Sequence, residues 1–338
     1  MASLSVHTSV NVLKAMAEPT RLRVLGLLAH GELNVKDLTR VLGQSQPRVS
    51  RHLKLLAEAG LVERAPEGSW VYFRLSDQQT GSEIANLVLG AVDANDPVLL
   101  RERARAEALR AEREAVAQAY FQAHAKEWDS IRALHVAEDS VEAAIVSALG
   151  VEPLNLLIDL GTGTGRMLEL LAPRYRRGLG IDRSPAMLAY ARAKLERAKL
   201  GHAQVRQGDI YDLPLADGVA DAVIMHQVMH FLGDPTQALR EAARVLMPGG
   251  RLLIVDFAPH ELEYLRDQFA HERLGFSAAQ VAQWLGDCGL DLLQRHDLAP
   301  TSDAKGAKLT VSVWLAARPQ PVGALRDGAG RRNLEQVR

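Results

Sequence analysis

The chain has 338 residues, which at about 150 residues per domain predicts two domains with connecting segments. Hydrophobic residues make up 47% and charged residues 24%, a composition that excludes a disordered or fibrous protein. The net charge of -1 gives no global sign of a nucleic-acid or membrane partner, although it can conceal local patches.

The single cysteine, Cys288, excludes an intrachain disulfide and any multi-thiolate metal site within one chain. The longest charge-free stretches have 13 residues, too few to cross a bilayer. We therefore expect a cytoplasmic protein without a membrane partner.

Short amphipathic segments at the start of the chain predict a helix-turn-helix. One helix opens at residues 18–22 and ends near Gly31, and a second spans residues 35–43. Pro47 lies in the first turn of a third helix, where its missing N–H is not needed. Two short helices joined by a tight turn are typical of this motif.

The third helix carries apolar and basic residues on opposite faces. Steps of 100° per residue place Val49, Leu53 and Leu56 on one stripe, with basic side chains opposite. No acidic residue occurs between Leu38 and Ala57, so this is a local basic patch. Such a face can enter a major groove, where Arg reads guanine edges and Lys and Ser contact phosphates. The DNA-binding residues that we predict are Gln46, Arg48, Ser50, Arg51 and Lys54.

After Gly60 an alternating aromatic stretch predicts two strands joined by a turn at Glu67-Gly68, which is a wing. The segments AEPTRLRVLGLL, SQPRVSRHLKLLAEAGLV and EGSWVYFRL resemble the ArsR/SmtB family of winged-helix repressors over roughly residues 10–90. The resemblance implies a homodimer that binds a palindromic double-stranded DNA operator. Thiol-based members carry Cys-x-Cys where this chain has Asn34 and Lys36, which do not bind arsenite or a soft metal.

From residue 97 to about 127, both signs of charge are interleaved with alanine, which favours an exposed spacer or packing helix. Near its end and after it, His124, His135 and Glu138 resemble the zinc site of some ArsR/SmtB members, but Gln122 stands where that motif needs Asp. Because zinc sensing typically requires four ligands, we interpret the spacing as coincidence and predict no metal site.

From residue 154 to 317 strand-like runs alternate with helical ones, which predicts a parallel α/β sheet. The run DLGTGTG places a glycine loop after the first strand, where the backbone can approach a ligand closely. Arg166 stands at the third glycine of the dinucleotide pattern, which disfavours NAD. Asp182 ends the second strand, where it can accept hydrogen bonds from both hydroxyls of a ribose.

Five ordered segments, DLGTGTG, GIDRSPAML, GDIYDLPL, ADAVIMHQVMH and LMPGGRLLIVDF, resemble class I S-adenosylmethionine-dependent methyltransferases, particularly the branch that includes ubiquinone and menaquinone biosynthesis enzymes. The resemblance runs from about residue 120 to 317. It implies S-adenosylmethionine as cofactor, or its product S-adenosylhomocysteine as effector. The implied cofactor-binding residues are Asp159, Gly161, Thr162, Gly163 and Gly165 at the methionine end, Asp182 at the ribose, Arg183, Met187, Asp209 and the N–H of Ile210 at the adenine, and His226.

Two histidines are candidates for a catalytic base. His226 ends the fourth strand and His230 follows one helical turn later, and a structural role is an equally open alternative for each. His260 and His271 are expected to border the pocket of a small-molecule methyl acceptor, without assigned roles. One cysteine is too few to hold arsenic as an acceptor.

We therefore predict an α/β Rossmann-like class I methyltransferase domain (136–318) preceded by an α+β winged helix-turn-helix domain (1–95), with a helical linker and lid (96–135) and a flexible tail (319–338). Tyr120, Phe121 and Trp128 are interpreted either as lid residues or as packing aromatics. The main hypothesis is a DNA-binding repressor whose methyltransferase domain senses S-adenosylmethionine or S-adenosylhomocysteine. The alternative is a small-molecule methyltransferase whose winged helix is autoregulatory or a dimerisation module.

Overall fold

The computed structural model describes residues 5–67, 70–76, 79–129, 138–299 and 309–320. The chain divides into two compact units. The first contains residues 1–124, 229–236 and 257–277, and the second contains residues 125–228, 237–256 and 278–338. This division differs from domain boundaries drawn at residues 95 and 135, because two segments of methyltransferase-like sequence pack with the winged helix.

The first unit has the predicted winged helix-turn-helix. Its elements are α1 (Val6–Met16), α2 (Pro19–Leu28), β1 (Leu33–Asn34), α3 (Val35–Leu42), α4 (Gln46–Glu58), β2 (Val62–Glu67), β3 (Trp70–Leu75), α5 (Gln79–Ala91) and α6 (Pro97–His124). The three strands form an antiparallel sheet in the order β1-β3-β2. Residues 68–69 of the predicted wing turn lie outside the described residues.

Local signals fix the two helices of the motif. Asn34 caps α3 by accepting the N–H of Asp37, whose carboxylate accepts the N–H of Asn34 in return. Gly43 ends α3 in the left-handed region, with a φ of 63° that suits glycine. Pro47 lies in the first turn of α4, as the sequence predicts. Leu25, Leu38 and other apolar residues form the buried core beneath both helices.

The second unit contains a sheet of seven strands. The elements after residue 137 are, in chain order, α7 (Glu138–Leu149), β4 (Leu154–Leu160), α8 (Arg166–Leu170), β5 (Tyr175–Asp182), α9 (Pro185–Arg197), β6 (Ala203–Gln207), β7 (Ala220–His226), α10 (Pro235–Val245), β8 (Leu246–Phe257), α11 (Tyr264–Phe269), α12 (Ala278–Asp287), β9 (Asp291–Leu298) and β10 (Val311–Ala317). Of these, α11 and the start of α10 belong to the first unit. The strand order is β6-β5-β4-β7-β8-β10-β9, with β9 and β10 antiparallel. The Rossmann-like prediction is confirmed.

The sheet order determines where a ligand can bind. From β4 the chain proceeds through β5 and β6 on one side and through β7 and β8 on the other, with parallel pairing throughout these five strands. The switch point therefore lies beside β4, where the carboxyl ends of parallel strands leave a crevice. Asp159, Asp182 and His226 lie at or near these ends.

The end of the sheet unit is fixed by Arg318, whose guanidinium donates to the carbonyl of Leu246 at 2.6 Å. Most of the predicted tail, residues 321–338, lies outside the described residues. In the described part of the chain, no helix is both long enough and apolar enough to span a membrane.

Candidate functional site

The predicted DNA-binding residues share the exposed side of α4. The opposite stripe is buried, with Val49 and Leu56 at 0% exposure and Leu53 at 1%. The structure leaves all five predicted residues exposed: Gln46, Arg48, Ser50, Arg51 and Lys54. The helix thus presents a basic surface on a rigid base, which suits contact with DNA phosphates and base edges.

Contacts at the back of α4 hold it in place. His52 is buried, and its Nδ1 lies 3.6 Å from the Glu18 carboxylate that caps α2. Burial lowers the pKa of His52, with the cations Arg21, Arg48 and Arg51 acting in the same direction and Glu18 opposing them. A largely neutral imidazole near neutral pH therefore serves as a packing group behind the basic face.

The glycine loop after β4 requires its glycines. Gly161, Gly163 and Gly165 have φ values of 70°, 51° and 79°, which side-chain-bearing residues rarely adopt. A Cβ on Gly161 would also collide with Cγ2 of Val228. The buried Asp159 carboxylate accepts the Thr162 hydroxyl at 2.6 Å and so holds the loop from below.

The N–H groups of this loop bind the protein itself. Gly161 and Thr162 donate to the carbonyl of Ile181 at 2.8 and 3.1 Å, and Gly165 donates to that of Thr162 at 2.8 Å. Gly163 donates to Oδ2 of Asp182 at 2.8 Å. These groups are therefore not directed at a phosphate, in agreement with the sequence argument against a dinucleotide.

Asp182 has the best-defined surroundings of the residues predicted to bind the cofactor. Its two oxygens accept N–H groups from Gly163 and Ser184, each at 2.8 Å. A carboxylate has about four lone-pair sites, so acceptor capacity remains for a ribose hydroxyl beside these N–H groups. Burial raises the pKa of Asp182, while the N–H groups from Ser184, Gly163 and Arg183 oppose that rise by stabilising the carboxylate.

The predicted adenine residues lie around the ends of β5 and β6. The N–H of Gly208 donates to the Asp182 carbonyl at 3.1 Å, which brings the next residue, Asp209, beside the end of β5. Oδ1 of Asp209 accepts the N–H of Tyr211 at 2.9 Å, so its carboxylate is oriented locally. Arg183 is exposed, Met187 is buried in the first turn of α9, and Ile210 is half-buried.

Three residues that line this edge were not assigned as binding residues from the sequence. Trp128 lies over the loop, with Nε1 3.5 Å from where a Cβ on Gly163 would stand. Asp129 accepts Thr164 Oγ1 and Lys194 Nζ, each at 2.6 Å. Gln227 is buried with a φ of 52°, unusual for a residue other than glycine. The lid hypothesis pointed to Trp128 alone; no sequence signal marks the other two.

These residues fit an S-adenosylmethionine-type cofactor. The Asp182 carboxylate lies at the end of β5, and Asp209 follows the neighbouring strand β6. Both are suited to accept from hydroxyl and amino groups rather than to bind phosphate. When bound, such a cofactor supplies an activated methyl group.

The histidines occupy different surroundings. His226 is half-buried at the end of β7. His230 is 2% exposed, with its ring centre 4.0 Å from that of Phe231, 4.9 Å from Phe257 and 4.2 Å from His271. The base assignment of either histidine stays a prediction.

Burial raises the pKa of the Cys288 thiol to about 11, which disfavours a thiolate near neutral pH. Among the described residues no group of three His, Cys, Asp or Glu side chains could hold a metal ion. His135 of the zinc-like spacing lies outside these residues, and His124 Nδ1 lies 2.9 Å from the carbonyl of Tyr120.

Two models of known protein families match the chain, one in each part. Residues 18–64 match the model of the bacterial regulatory proteins of the arsR family, and residues 158–254 match a methyltransferase domain. The arsenical resistance operon repressor of Escherichia coli is 48% identical over 74 residues, which are 22% of this chain and 63% of the repressor.

The demethylmenaquinone methyltransferase of Thermus thermophilus is 39% identical over 118 residues, 34% of this chain and 53% of the enzyme. The chain thus spans less than two thirds of the length of these curated relatives. A methyltransferase solved with the Haloferax volcanii Trm112 activator is similar in fold, with a TM-score of 0.50, 24% identity, and coverage of 59% of this chain and 98% of that one.

Proposed function

We propose that this chain, which joins an ArsR-type DNA-binding regulator domain to an S-adenosylmethionine-dependent methyltransferase domain, is a repressor that senses S-adenosylmethionine or S-adenosylhomocysteine. One observation carries the proposal: the same chain has both the exposed basic face of α4 and the Asp182 carboxylate, which accepts the N–H of Gly163 in the glycine loop. Asn34 and Lys36 replace the thiols, so the regulator needs another effector.

The packing around His230 supports sensing over catalysis. A general base must reach the acceptor proton within hydrogen-bond distance, directly or through one water. His230 is instead buried among three rings, as expected of a structural histidine.

The enzyme remains a second candidate because His226 is half-buried at the carboxyl edge of the sheet, where a base can meet a substrate. This candidate takes a small-molecule methyl acceptor, with the winged helix as an autoregulatory or dimerisation module.

A homodimer is part of the proposal. Val6, Val10 and Leu13 lie on one side of α1 and are 82%, 39% and 50% exposed. Their spacing of four and three residues forms an apolar stripe that a second copy can cover. A twofold dimer matches the symmetry of a palindromic operator.

The decisive experiment is an operator titration. A duplex selected by the protein from a random library is titrated with and without saturating S-adenosylhomocysteine or S-adenosylmethionine. We expect either ligand to change operator affinity at least about fivefold, the low end of typical allosteric couplings. An unchanged affinity at saturation contradicts the sensor.

Two variants locate the response. Asp182→Ala should weaken ligand binding, because it removes the acceptor for the ribose hydroxyls, whereas Asp291→Ala removes an exposed carboxylate on β9 and should not. Isothermal titration calorimetry measures both, and equal affinities refute the ribose assignment. A separate assay incubates the protein with S-adenosylmethionine and extracted metabolites and measures the release of S-adenosylhomocysteine. Methyl transfer in this assay favours the second candidate, a small-molecule methyltransferase.

A further inference from the structure

A buried ionic contact joins the wing to the segment that follows β8. Arg273 is fully buried, and its Nη1 donates to Glu32 Oε2 at 2.9 Å and to Glu67 Oε1 at 3.1 Å. Its guanidinium carbon lies 3.8 Å from the centre of the Tyr72 ring. All four residues belong to the first unit, and we call them the wing cluster.

Two more guanidinium groups extend the contact. Arg266 lies 4.0 Å from the centre of the Trp70 ring in β3. Arg113 of α6 forms ion pairs with Asp37 of α3 and with Glu272, the latter at 2.8 Å. The wing and α3 are therefore held by residues 266–273 together with α6.

The contact adjoins the start of α3, the helix that carries the thiols in thiol-based ArsR/SmtB members. Glu32 precedes Asn34 by two residues, and Asp37 directly follows Lys36. Helix α3 in turn packs on α4, which carries the basic face. A change at the start of α3 is thus positioned to reach the DNA-binding residues.

The wing cluster is specific but incompletely satisfied. Among the described residues, Nε and Nη2 of Arg273, Oε1 of Glu32 and Oε2 of Glu67 have no hydrogen-bond partner. Desolvation offsets much of the attraction within such a cluster, so the docked arrangement adds little net stability over one in which the same charges are hydrated. Residues 266–273 can therefore leave this contact at a low cost in free energy, as a switch between two conformations requires.

The segment itself is a closed loop that starts at the sheet. Phe257 ends β8, and its carbonyl accepts the N–H of Phe276 at 2.9 Å, while His260 donates to the carbonyl of Leu274 at 3.0 Å. The loop containing Arg266 and Arg273 is therefore tied at its base to the end of a sheet strand.

We infer that residues 266–273 are an internal effector of the winged helix, which docks on the wing and the start of α3 and whose docking changes when S-adenosylhomocysteine binds the sheet unit. This inference rests on the proposed function and adds the residues that deliver the response. In this protein a segment of the same chain would act at the start of α3, where thiol-based ArsR/SmtB members bind arsenite or a soft metal.

The test compares the ratio of operator dissociation constants with and without saturating S-adenosylhomocysteine. In Arg273→Met, which keeps much of the side-chain volume without the charge, the ratio should fall below about twofold from the fivefold or more expected of the wild type. Arg295→Met is the matched control, since Arg295 pairs with Asp297 on the surface, and it should keep the wild-type ratio.

Circular dichroism checks the fold of each variant. If Arg273→Met does not fold, the triple variant E32Q/E67Q/R273M, which removes all three charges together, takes its place. Hydrogen exchange of residues 62–67 and 70–75 in the wild-type protein should also change when S-adenosylhomocysteine binds.

Three outcomes overturn the inference. A folded Arg273 variant with the wild-type ratio overturns it, as does unchanged exchange in the wing while operator affinity responds; both leave the sensor standing. A wild-type protein whose operator affinity ignores the ligand overturns the sensor and the internal effector together.

Discussion

Two arginine-rich regions of the winged helix differ in surroundings and therefore in role. Arg48 and Arg51 on α4 are exposed, and water screens their charges, so they are available to an external anion. Arg273 is fully buried, and its guanidinium pairs with Glu32 and Glu67. The same side chain is thus available to a partner in one region and is held in a fixed geometry in the other.

The largest expected effect tests the buried region. Arg273→Ala should lower the free energy of unfolding of the first unit by about 3–5 kcal/mol, because it removes the guanidinium that pairs with the buried carboxylates of Glu32 and Glu67. Urea denaturation followed by tryptophan fluorescence measures the change. Arg295→Ala, in the surface pair, should stay within about 0.5 kcal/mol of the wild type. A loss below about 1 kcal/mol in Arg273→Ala would mean that the two regions do not differ as described.

The next effect tests the exposed region. Arg51→Ala should weaken operator binding by about 1–3 kcal/mol if the side chain contacts a base edge. Its stability should change by no more than about 0.5 kcal/mol, because the side chain is exposed. Fluorescence anisotropy with a labelled duplex gives the affinity. Loss of S-adenosylhomocysteine binding in this variant would contradict the separation of the two sites.

The smallest effect concerns a phosphate contact. Lys54→Ala should reduce the slope of log affinity against log salt concentration by about one, since each neutralised phosphate releases about one counterion. Its ion pair with Glu58 at 3.8 Å is exposed and adds at most about 0.5 kcal/mol of stability. Titrations at several salt concentrations measure the slope, with Lys126→Ala, exposed in the other unit, as control. Equal slopes in both variants would remove Lys54 from the contact.

The α4 face was predictable because helix periodicity alone separates Val49 and Leu53 from the basic side. The wing cluster was not, because Glu32 and Arg273 are 241 positions apart and only the tertiary fold joins them. A buried arginine also has no sequence signal, since arginine is ordinarily exposed.

The candidate cofactor site at the carboxyl ends of the parallel strands was only partly predictable from the sequence. Strand periodicity and the glycine run placed Asp159 and Asp182 at strand ends, where the structure has them. The position of Asp129 depends on its ion pair with Lys194, which lies 65 positions away in the sequence. The positive φ of Gln227 has no sequence signal, because glycine is the residue that ordinarily marks such a backbone conformation. Sequence therefore predicted the residues set by local periodicity and missed those set by long-range packing.

The wing cluster also bears on the evolution of this fusion. A winged helix cut off at residue 95 would keep Glu32, Glu67 and Asp37 but lose Arg273 and Arg113, their cationic partners. Natural or engineered fission of the gene would thus require compensating substitutions at the acidic positions. We expect the acidic and basic positions to have changed together during descent.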